Sequence, residues 1–136
     1  MNAPNELLPL PAAPAALAGH DLAWRVLIFL GNDAALARQD LRAFARLAAE
    51  FRVLGADLVA VTPFGELGQR LMTRGLRPDQ RLPMAEDLFG LWSRHAGIVA
   101  GERGAAILGP GGVIAARLDA AAGAAAVLDA LAARVD

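Results

Sequence analysis

Apolar residues in the first half of the chain form two unbroken runs with a spaced stripe between them. Trp24–Leu30 and residues 57–61 are nearly continuous runs of aliphatic and aromatic side chains, which is typical of strands buried on two faces. Between the runs, apolar residues recur every three or four positions, which predicts a helix that ends near Gly55. The stripe consists of Leu36, Leu41, Phe44, Leu47, Ala48, Phe51 and Leu54. The order strand, helix, strand predicts a βαβ unit.

Shorter patterns with helical spacing follow the second run. Residues 64–74 and residues 88–95 each place apolar side chains three or four positions apart, which predicts two short helices. Asp87 is a candidate N-cap for the second helix, and Gly97 is a candidate stop signal at its end. Residues 76–83 contain prolines and arginines and predict a surface loop.

The last third of the chain predicts a β-hairpin and a final helix. Residues 104–108 and 113–116 predict short strands around a glycine-rich turn at residues 109–112. Residues 120–135 are rich in alanine and predict a helix. Its packing stripe is Val127, Leu128, Leu131 and Val135. The complete order of elements resembles the thioredoxin-like fold, an α/β fold in which a central mixed sheet (βαβ plus ββα) is flanked by helices.

The length and composition favour a single globular domain. We expect a Pro- and Ala-rich lead-in over residues 1–19 and one domain over residues 20–136. No apolar run reaches the roughly 18 residues that a membrane span requires, and the lead-in lacks the basic start of a signal peptide. These features favour a cytoplasmic protein that does not contact membranes. A formal net charge of −1 argues against binding of nucleic acid.

The absence of cysteine excludes several kinds of chemistry. With no cysteine in the chain, disulfides, thiolate metal sites and thiol nucleophiles are all impossible. The histidines, His20 and His95, have no partners at metal-ligand spacing, so we expect neither a metal nor a cofactor. The hydroxyl side chains, Thr62, Thr73 and Ser93, lie in no nucleophile motif, which argues against a serine hydrolase.

Four separated segments resemble a known family. Residues 44–63 contain the pattern F-x-x-x-G-A followed by a strand and V-T-P. Residues 82–87 (LPMAED), 92–98 (WSRHAGI) and 103–114 (RGAAILGPGGVI) follow in the order that this family uses. Together the segments are similar to the peroxiredoxins, specifically the alkyl hydroperoxide reductase and thiol-specific antioxidant (AhpC/TSA, redoxin) branch of the thioredoxin superfamily. The resemblance covers about residues 24–135 and implies the peroxiredoxin fold.

The active-site positions of that family carry other residues in this chain. Its motif P-x-x-x-T-x-x-C aligns without a gap, with Leu30 at the proline, Ala34 at the threonine and Ala37 at the peroxidatic cysteine. Only a later arginine of the family is matched, by Arg103. A methyl group cannot form the thiolate that attacks the O–O bond of a peroxide. The resemblance therefore implies a degenerate site, and we expect a pseudoenzyme without thiol peroxidase activity.

A non-catalytic binding or oligomerisation module is the function that these observations favour. Peroxiredoxin-like domains often pair through the loops around the active site, so the resemblance implies a homodimer, and a protein partner is a second possibility. Phe64, Phe89 and Trp92 are candidates for an exposed apolar patch at such an interface. The alternative for these three side chains is a position in the core.

Two other functions stay open. A small molecule or anion could bind in the remodelled pocket of Ala34, Ala37 and Arg103. Arg38, Arg42 and Arg46 follow one another at four-residue spacing near a helix N-terminus, which favours an anion or an acidic partner there as well. The opposing interpretation is a solvated face of the helix.

The other open function is an enzyme of unrelated chemistry that uses Asp33, Asp40 or Arg103. The alternative is that Arg103 only forms an ion pair within the chain and has no role in binding. Its suggested partners are Glu66, Glu86 and Asp87.

Overall fold

The computed structural model describes residues 24–87, 90–99, 101–110, 113–119 and 122–135. The predicted lead-in at residues 1–19, together with His20 and Phe89, lies outside these ranges. Within them, no helix has the length and apolar character needed to span a lipid bilayer.

Two parallel strands form the centre of the fold. Strand β1 (Trp24–Leu30) pairs in parallel with strand β2 (Ala56–Thr62), so that Val26 lies opposite Leu58. Both strands are almost completely buried, because apolar side chains cover them on both faces of the sheet. The predicted βαβ unit is confirmed.

Two helices connect these strands where the sequence predicts one. Helix α1 (Ala34–Arg46) and helix α2 (Ala48–Val53) meet at Leu47, whose amide donates to the carbonyl of Phe44 at 3.1 Å. This three-residue turn is tighter than an α-helical turn and interrupts the helix. Phe44 and Phe51 stay on the buried side across the break, and their ring centroids are 5.9 Å apart.

The middle of the chain contains a strand that the sequence does not predict. Helix α3 (Glu66–Thr73) is followed by a 3₁₀ turn (Pro78–Gln80), by strand β3 (Met84–Glu86) and by helix α4 (Leu91–Ala96). Strand β3 extends the sheet by pairing in parallel with the end of β2. The predicted surface loop ends at residue 83, and the sequence assigns no element to residues 84–86, because three half-buried residues are too few to show an alternating pattern.

Within the described part of the chain, the remaining elements complete a five-stranded sheet. Strand β4 (Arg103–Leu108) pairs antiparallel with β1 on one side and with β5 (Ile114–Asp119) on the other, and helix α5 (Gly123–Ala132) follows. The order across the sheet is β3-β2-β1-β4-β5. Val127 and Leu131 of α5 are buried as predicted. The mixed sheet with flanking helices confirms the predicted fold class.

The sheet separates two apolar clusters. On one face, Ile28 of β1 packs with buried residues of α1, α2, α3 and α5. On the other face, Phe29 packs with Trp92 of α4. Trp92 is only 2% exposed and therefore belongs to the core, which is one of the two positions that the sequence left open for it. Leu36 departs from the predicted stripe, since it is exposed in the first turn of α1.

Candidate functional site

The loop after β1 leads directly into the first turn of α1. Gly31 has a φ of 71°, and a Cβ atom there would lie 2.9 Å from the Cγ atom of Arg103. The loop therefore needs glycine both for its backbone conformation and for the arginine stem beside it. Asp33 is the N-cap of α1, because its carboxylate accepts a hydrogen bond of 3.0 Å from the amide of Leu36.

The three apolar positions of the degenerate site lie together at this point. Leu30 is the last residue of β1, Ala34 is the first residue of α1, and Ala37 lies in the first turn of the helix with its amide bonded to the carbonyl of Asp33. Leu30 and Ala37 are each 0% exposed and belong to the same core cluster. The space around the methyl group of Ala37 is therefore packed core and not a solvent-filled cleft.

Arg103 approaches the same position from the neighbouring strand. It lies opposite Leu30 in the pairing of β1 with β4. Its Nε and Nη2 atoms donate to the two carboxylate oxygens of Asp40 at 2.8 and 2.7 Å, so the ion pair is bidentate. The hydrogen bond with Asp40 raises the pKa of Arg103; partial burial opposes this shift, and the charges of Asp40, Asp33 and Asp119 add to it.

This ion pair differs from the one that the sequence suggested. Glu66, Glu86 and Asp87 were named as possible partners, and the partner is Asp40. Two of the three have other partners: Glu66 pairs with Arg70, and Asp87 accepts amide hydrogen bonds from α4. The spacing along α1 could have indicated Asp40 as the partner of Arg103. Asp40 lies three residues after Ala37 and four before Phe44, on the buried side of the helix.

Arg38 and Arg103 are not brought together. Arg38 donates from Nη1 to the carbonyl of Leu71 at 3.1 Å, and thereby ties α1 to the last turns of α3. Arg38 and Asp40 are two residues apart, which is about 200° around an α-helix. The two guanidinium groups therefore lie on different sides of α1. Arg42 and Arg46 are exposed.

A second group of polar residues lies on the opposite face of the sheet. Asp87 follows β3 and is 8% exposed; its Oδ1 accepts from the amide of Trp92 at 2.8 Å, and its Oδ2 accepts from the amide of Ser93 at 3.2 Å. The hydroxyl of Ser93 also donates to Oδ2. Asp87 thus accepts from the amides of the second and third residues of α4. The prediction that it is the N-cap was wrong, because the helix begins at Leu91 and its N-cap is Gly90.

A cavity of about 260 Å³ lies beside this pair, at the end of β1 and β2 where the chain leaves the sheet. Carboxyl ends of parallel strands are where open α/β sheets commonly bind ligands. The described residues that line it are Phe29, Gly31, Val61, Pro63, Asp87, Gly90, Ser93, Gly101 and Glu102. The sequence suggested Asp87 as a cap or as an ion-pair partner of Arg103, but not as part of a cavity. Ser93, in the first turn of the helix that follows, was a signal that could have indicated it.

Helix α3 presents an apolar strip to solvent. Leu67 and Leu71 are 71% and 52% exposed, and their spacing of four residues puts them on one side of the helix. Phe64, two residues before the helix begins at Glu66, is 39% exposed. An exposed position is one of the two that the sequence left open for Phe64.

The described residues offer no place for a bound metal. Within those ranges, no three histidine, aspartate or glutamate side chains lie close enough together to hold a metal ion. His95 is half-buried in the last turn of α4.

Solved structures of peroxiredoxins share this architecture. Xanthomonas campestris peroxiredoxin Q is similar with a TM-score of 0.68 and 22% sequence identity, over 88% of this chain and 84% of that chain. Mycobacterium tuberculosis AhpC is similar with a TM-score of 0.68 and 24% identity, over 86% and 72% of the two chains. For Enterococcus faecalis AhpC the TM-score is 0.69 and the identity 18%, over 82% and 74%. No protein-family model and no curated protein matches the sequence.

The fold similarity covers most of this chain and most of each peroxiredoxin. The resemblance stated from the four sequence segments is thereby confirmed at the level of the fold. This protein has a peroxiredoxin-like form of the thioredoxin fold, built from a sequence that contains no cysteine.

Proposed function

We propose that this peroxiredoxin-like protein has lost thiol peroxidase chemistry and serves as a non-catalytic module that self-associates. The observation that carries the proposal is the burial of Ala37 in the first turn of α1, where the resemblance aligns the peroxidatic cysteine. Peroxide reduction by that mechanism needs a thiolate that peroxide can reach. Neither the sulfur nor the access is available at a methyl group inside the core.

The state of Arg103 supports the same conclusion. A guanidinium that activates a thiol or orients a peroxide must offer hydrogen-bond donors to that group. In this chain Nε and Nη2 both donate to Asp40, with N···O distances of 2.8 and 2.7 Å. Arg103 therefore acts here as a link between β4 and α1.

The apolar strip on α3 supports self-association. Leu67 and Leu71 are large apolar side chains that are more than half exposed on one side of a helix. A contiguous exposed apolar surface of this kind is typical of an interaction site. The charged flank of the same helix, Glu66 and Arg70, has both signs and suits contact with an identical flank in antiparallel orientation.

A peroxide consumption assay tests the loss of chemistry. The purified chain should consume hydrogen peroxide and an organic hydroperoxide no faster than buffer does, with or without a dithiol reductant. Peroxide turnover above the buffer rate would refute the proposal, provided that Arg103→Ala abolishes the turnover. Its disappearance in that variant would show that the activity belongs to this chain and not to a contaminant.

Sedimentation velocity over a range of protein concentrations tests self-association. We expect a dimer that dissociates on dilution. A single monomeric species at the highest concentration would refute the oligomerisation part of the proposal and leave the loss of chemistry standing.

Binding of a small anion at Arg38 or Arg103 is the second candidate. The burial of the charge of Arg103 against Asp40 weighs against it, since an anion has to compete with a bidentate carboxylate. If Arg103 binds anions, Asp40→Asn should free the guanidinium and increase the rise in melting temperature that sulfate produces. An equal response in Arg103→Ala would exclude that arginine.

A further inference from the structure

The cavity beside Asp87 lies mainly on the opposite face of the sheet from Ala37, although Gly31 of the loop before α1 is part of its lining. Phe29 and Val61, which form part of its wall, belong to the apolar cluster that packs against α4. Ala37 belongs to the cluster on the other face. A ligand in this cavity would therefore meet different side chains from one bound at Ala37 or Arg103, and its binding does not depend on the proposed function.

The polar side chains of the cavity accept hydrogen bonds. The hydroxyl hydrogen of Ser93 is committed to Oδ2 of Asp87, so this serine oxygen has only lone pairs left to offer. Asp87 is held by the two amides of Trp92 and Ser93, and an ionised carboxylate is an acceptor at every lone pair. Glu102 adds a second, exposed carboxylate to the lining.

Four backbone donors near the cavity are already used inside the chain. The amide of Asp87 donates to the carbonyl of Thr62 at 2.8 Å, and the amide of Gly90 donates to the carbonyl of Asp87 at 3.1 Å. The amide of Ser93 donates to the Asp87 side chain, and the amide of Glu102 donates to the carbonyl of Val99 at 3.0 Å. These four amides are therefore not free to donate to a ligand that accepts hydrogen bonds.

The charges of the lining residues also favour a ligand that donates hydrogen bonds. Asp87 and Glu102 are acidic, and no lining residue in the described part of the chain is basic. The other lining residues include the apolar residues Phe29, Val61 and Pro63. Acceptors and negative charge together with apolar residues fit a ligand that carries a donating cation and a hydrocarbon group.

We propose that this cavity binds a small protonated amine. The ammonium group donates to Asp87, Ser93 and Glu102, and the hydrocarbon group lies against Phe29 and Val61. A volume of about 260 Å³ is slightly below the range of pockets for drug-sized ligands, so the ligand is an amine of a few carbons or one aromatic ring.

Isothermal titration with matched probes tests this assignment. Benzylamine, benzoate and benzyl alcohol share one ring and differ in charge. Benzylamine should bind with a Kd no weaker than about 10 mM, which is reasonable for a ligand of so few atoms, and benzoate should not bind. Equal affinity for benzylamine and benzoate, or no heat with benzylamine, would overturn the proposal.

Variants locate the binding. Glu102→Gln changes an exposed carboxylate and should weaken benzylamine binding at least threefold, whereas Glu66→Gln on α3 is the control and should leave the affinity unchanged. Ser93→Ala removes an acceptor while the two amides still hold Asp87 and should also weaken binding, with circular dichroism confirming the fold. Equal affinity in the parent and in both cavity variants would show that the amine binds elsewhere.

Discussion

The methyl group of Ala37 occupies a position where a larger side chain has no free space. It is completely buried in the same cluster as Leu30 and Leu41. Protein interiors are packed to a density that leaves few gaps, so even one added atom is felt. Residue 37 therefore determines both whether a reactive side chain stands in the first turn of α1 and how the core packs beneath that turn.

Replacing Ala37 with cysteine is expected not to restore peroxide reduction. The new thiol would lie in apolar surroundings, which raise the pKa of a thiol, and peroxide could not reach it. We expect a loss of about 1 to 3 kcal/mol in the free energy of unfolding from overpacking and no peroxide turnover. Reaction with a disulfide reagent should be slow in Ala37→Cys and fast in the control Ala35→Cys, whose position is exposed in the same turn. Rapid reaction at position 37 would contradict its burial.

The Arg103 and Asp40 side chains should prove energetically coupled. Each is mostly buried, so removing one partner leaves the other charge poorly solvated. Urea unfolding of Arg103→Ala should show a loss of about 1 to 3 kcal/mol, and Asp40→Ala a similar loss. The double variant should be more stable than the sum of the single losses predicts, by at least about 1 kcal/mol. Additive losses would mean that the bidentate contact contributes nothing.

The contribution of Arg103 should not titrate near neutral pH. Its pKa is raised in the folded state by the hydrogen bond with Asp40, so its stabilisation is fully present below the ordinary arginine pKa and is lost only as the pH rises through the raised value. The loss of stability caused by Arg103→Lys should therefore vary by less than about 0.5 kcal/mol between about pH 7 and pH 9. Urea unfolding at several pH values measures it.

Among the structural elements, helices α1 and α4 each follow an aspartate that accepts amide hydrogen bonds from the first turn. Asp33 at the start of α1 is exposed and accepts one such bond, from Leu36. Asp87 before α4 is buried and accepts three bonds, from two amides and a hydroxyl. Water can replace the first carboxylate more easily than the second.

Alanine at these two positions should therefore have unequal effects. We expect Asp33→Ala to lower the free energy of unfolding by about 1 kcal/mol, which is a usual value for an exposed N-cap. Asp87→Ala should lower it by about 2 to 3 kcal/mol, because buried donors of Trp92 and Ser93 are left without an acceptor. Chemical denaturation of both variants checks the order. A larger loss at Asp33 would contradict the assigned role of Asp87.

At the scale of the whole molecule, the two faces of the sheet are covered unequally. Helices α1, α2, α3 and α5 contribute buried residues to one apolar cluster, and α4 is the helix that contributes to the other. On the more heavily covered face, α3 buries Met72 and leaves Leu67 and Leu71 exposed. The apolar strip is thus a surface that the fold of one chain does not cover.

A polar residue in this strip should weaken self-association without loss of stability. Leu67→Gln removes a largely exposed side chain that makes little contribution to the core, so its free energy of unfolding should change by less than about 0.5 kcal/mol. Its dimer should dissociate at a concentration at least about tenfold higher than the parent's, a change of 1.4 kcal/mol. Sedimentation velocity measures this, with Val53→Gln, exposed on α2, as the control. An equal effect of both changes would exclude α3 as the interface.

Long apolar patterns allowed much of the fold to be predicted from the sequence. The stripe through Phe44 and Phe51 is long enough to identify a helix by its period, and the runs at β1 and β2 are short and rich in β-branched and aromatic residues, which identifies them as strands. Strand β3 could not be predicted, because three half-buried residues have no period and become a strand only by pairing with β2. The break at Leu47 involves neither proline nor glycine and so has no local signal.

The features of the candidate sites were likewise predicted only in part from the sequence. The lack of cysteine and the alanine at position 37 follow from the sequence, and so does the absence of thiol chemistry, because covalent chemistry depends on which atoms are present. The burial of Ala37, the pairing of Arg103 with Asp40 and the cavity beside Asp87 were decided by the tertiary structure. These features join residues that are far apart in the chain, such as Asp40 and Arg103. The charge and type of each residue indicate which ion pairs are possible, but only the packing of α1 against the sheet determines which pair forms.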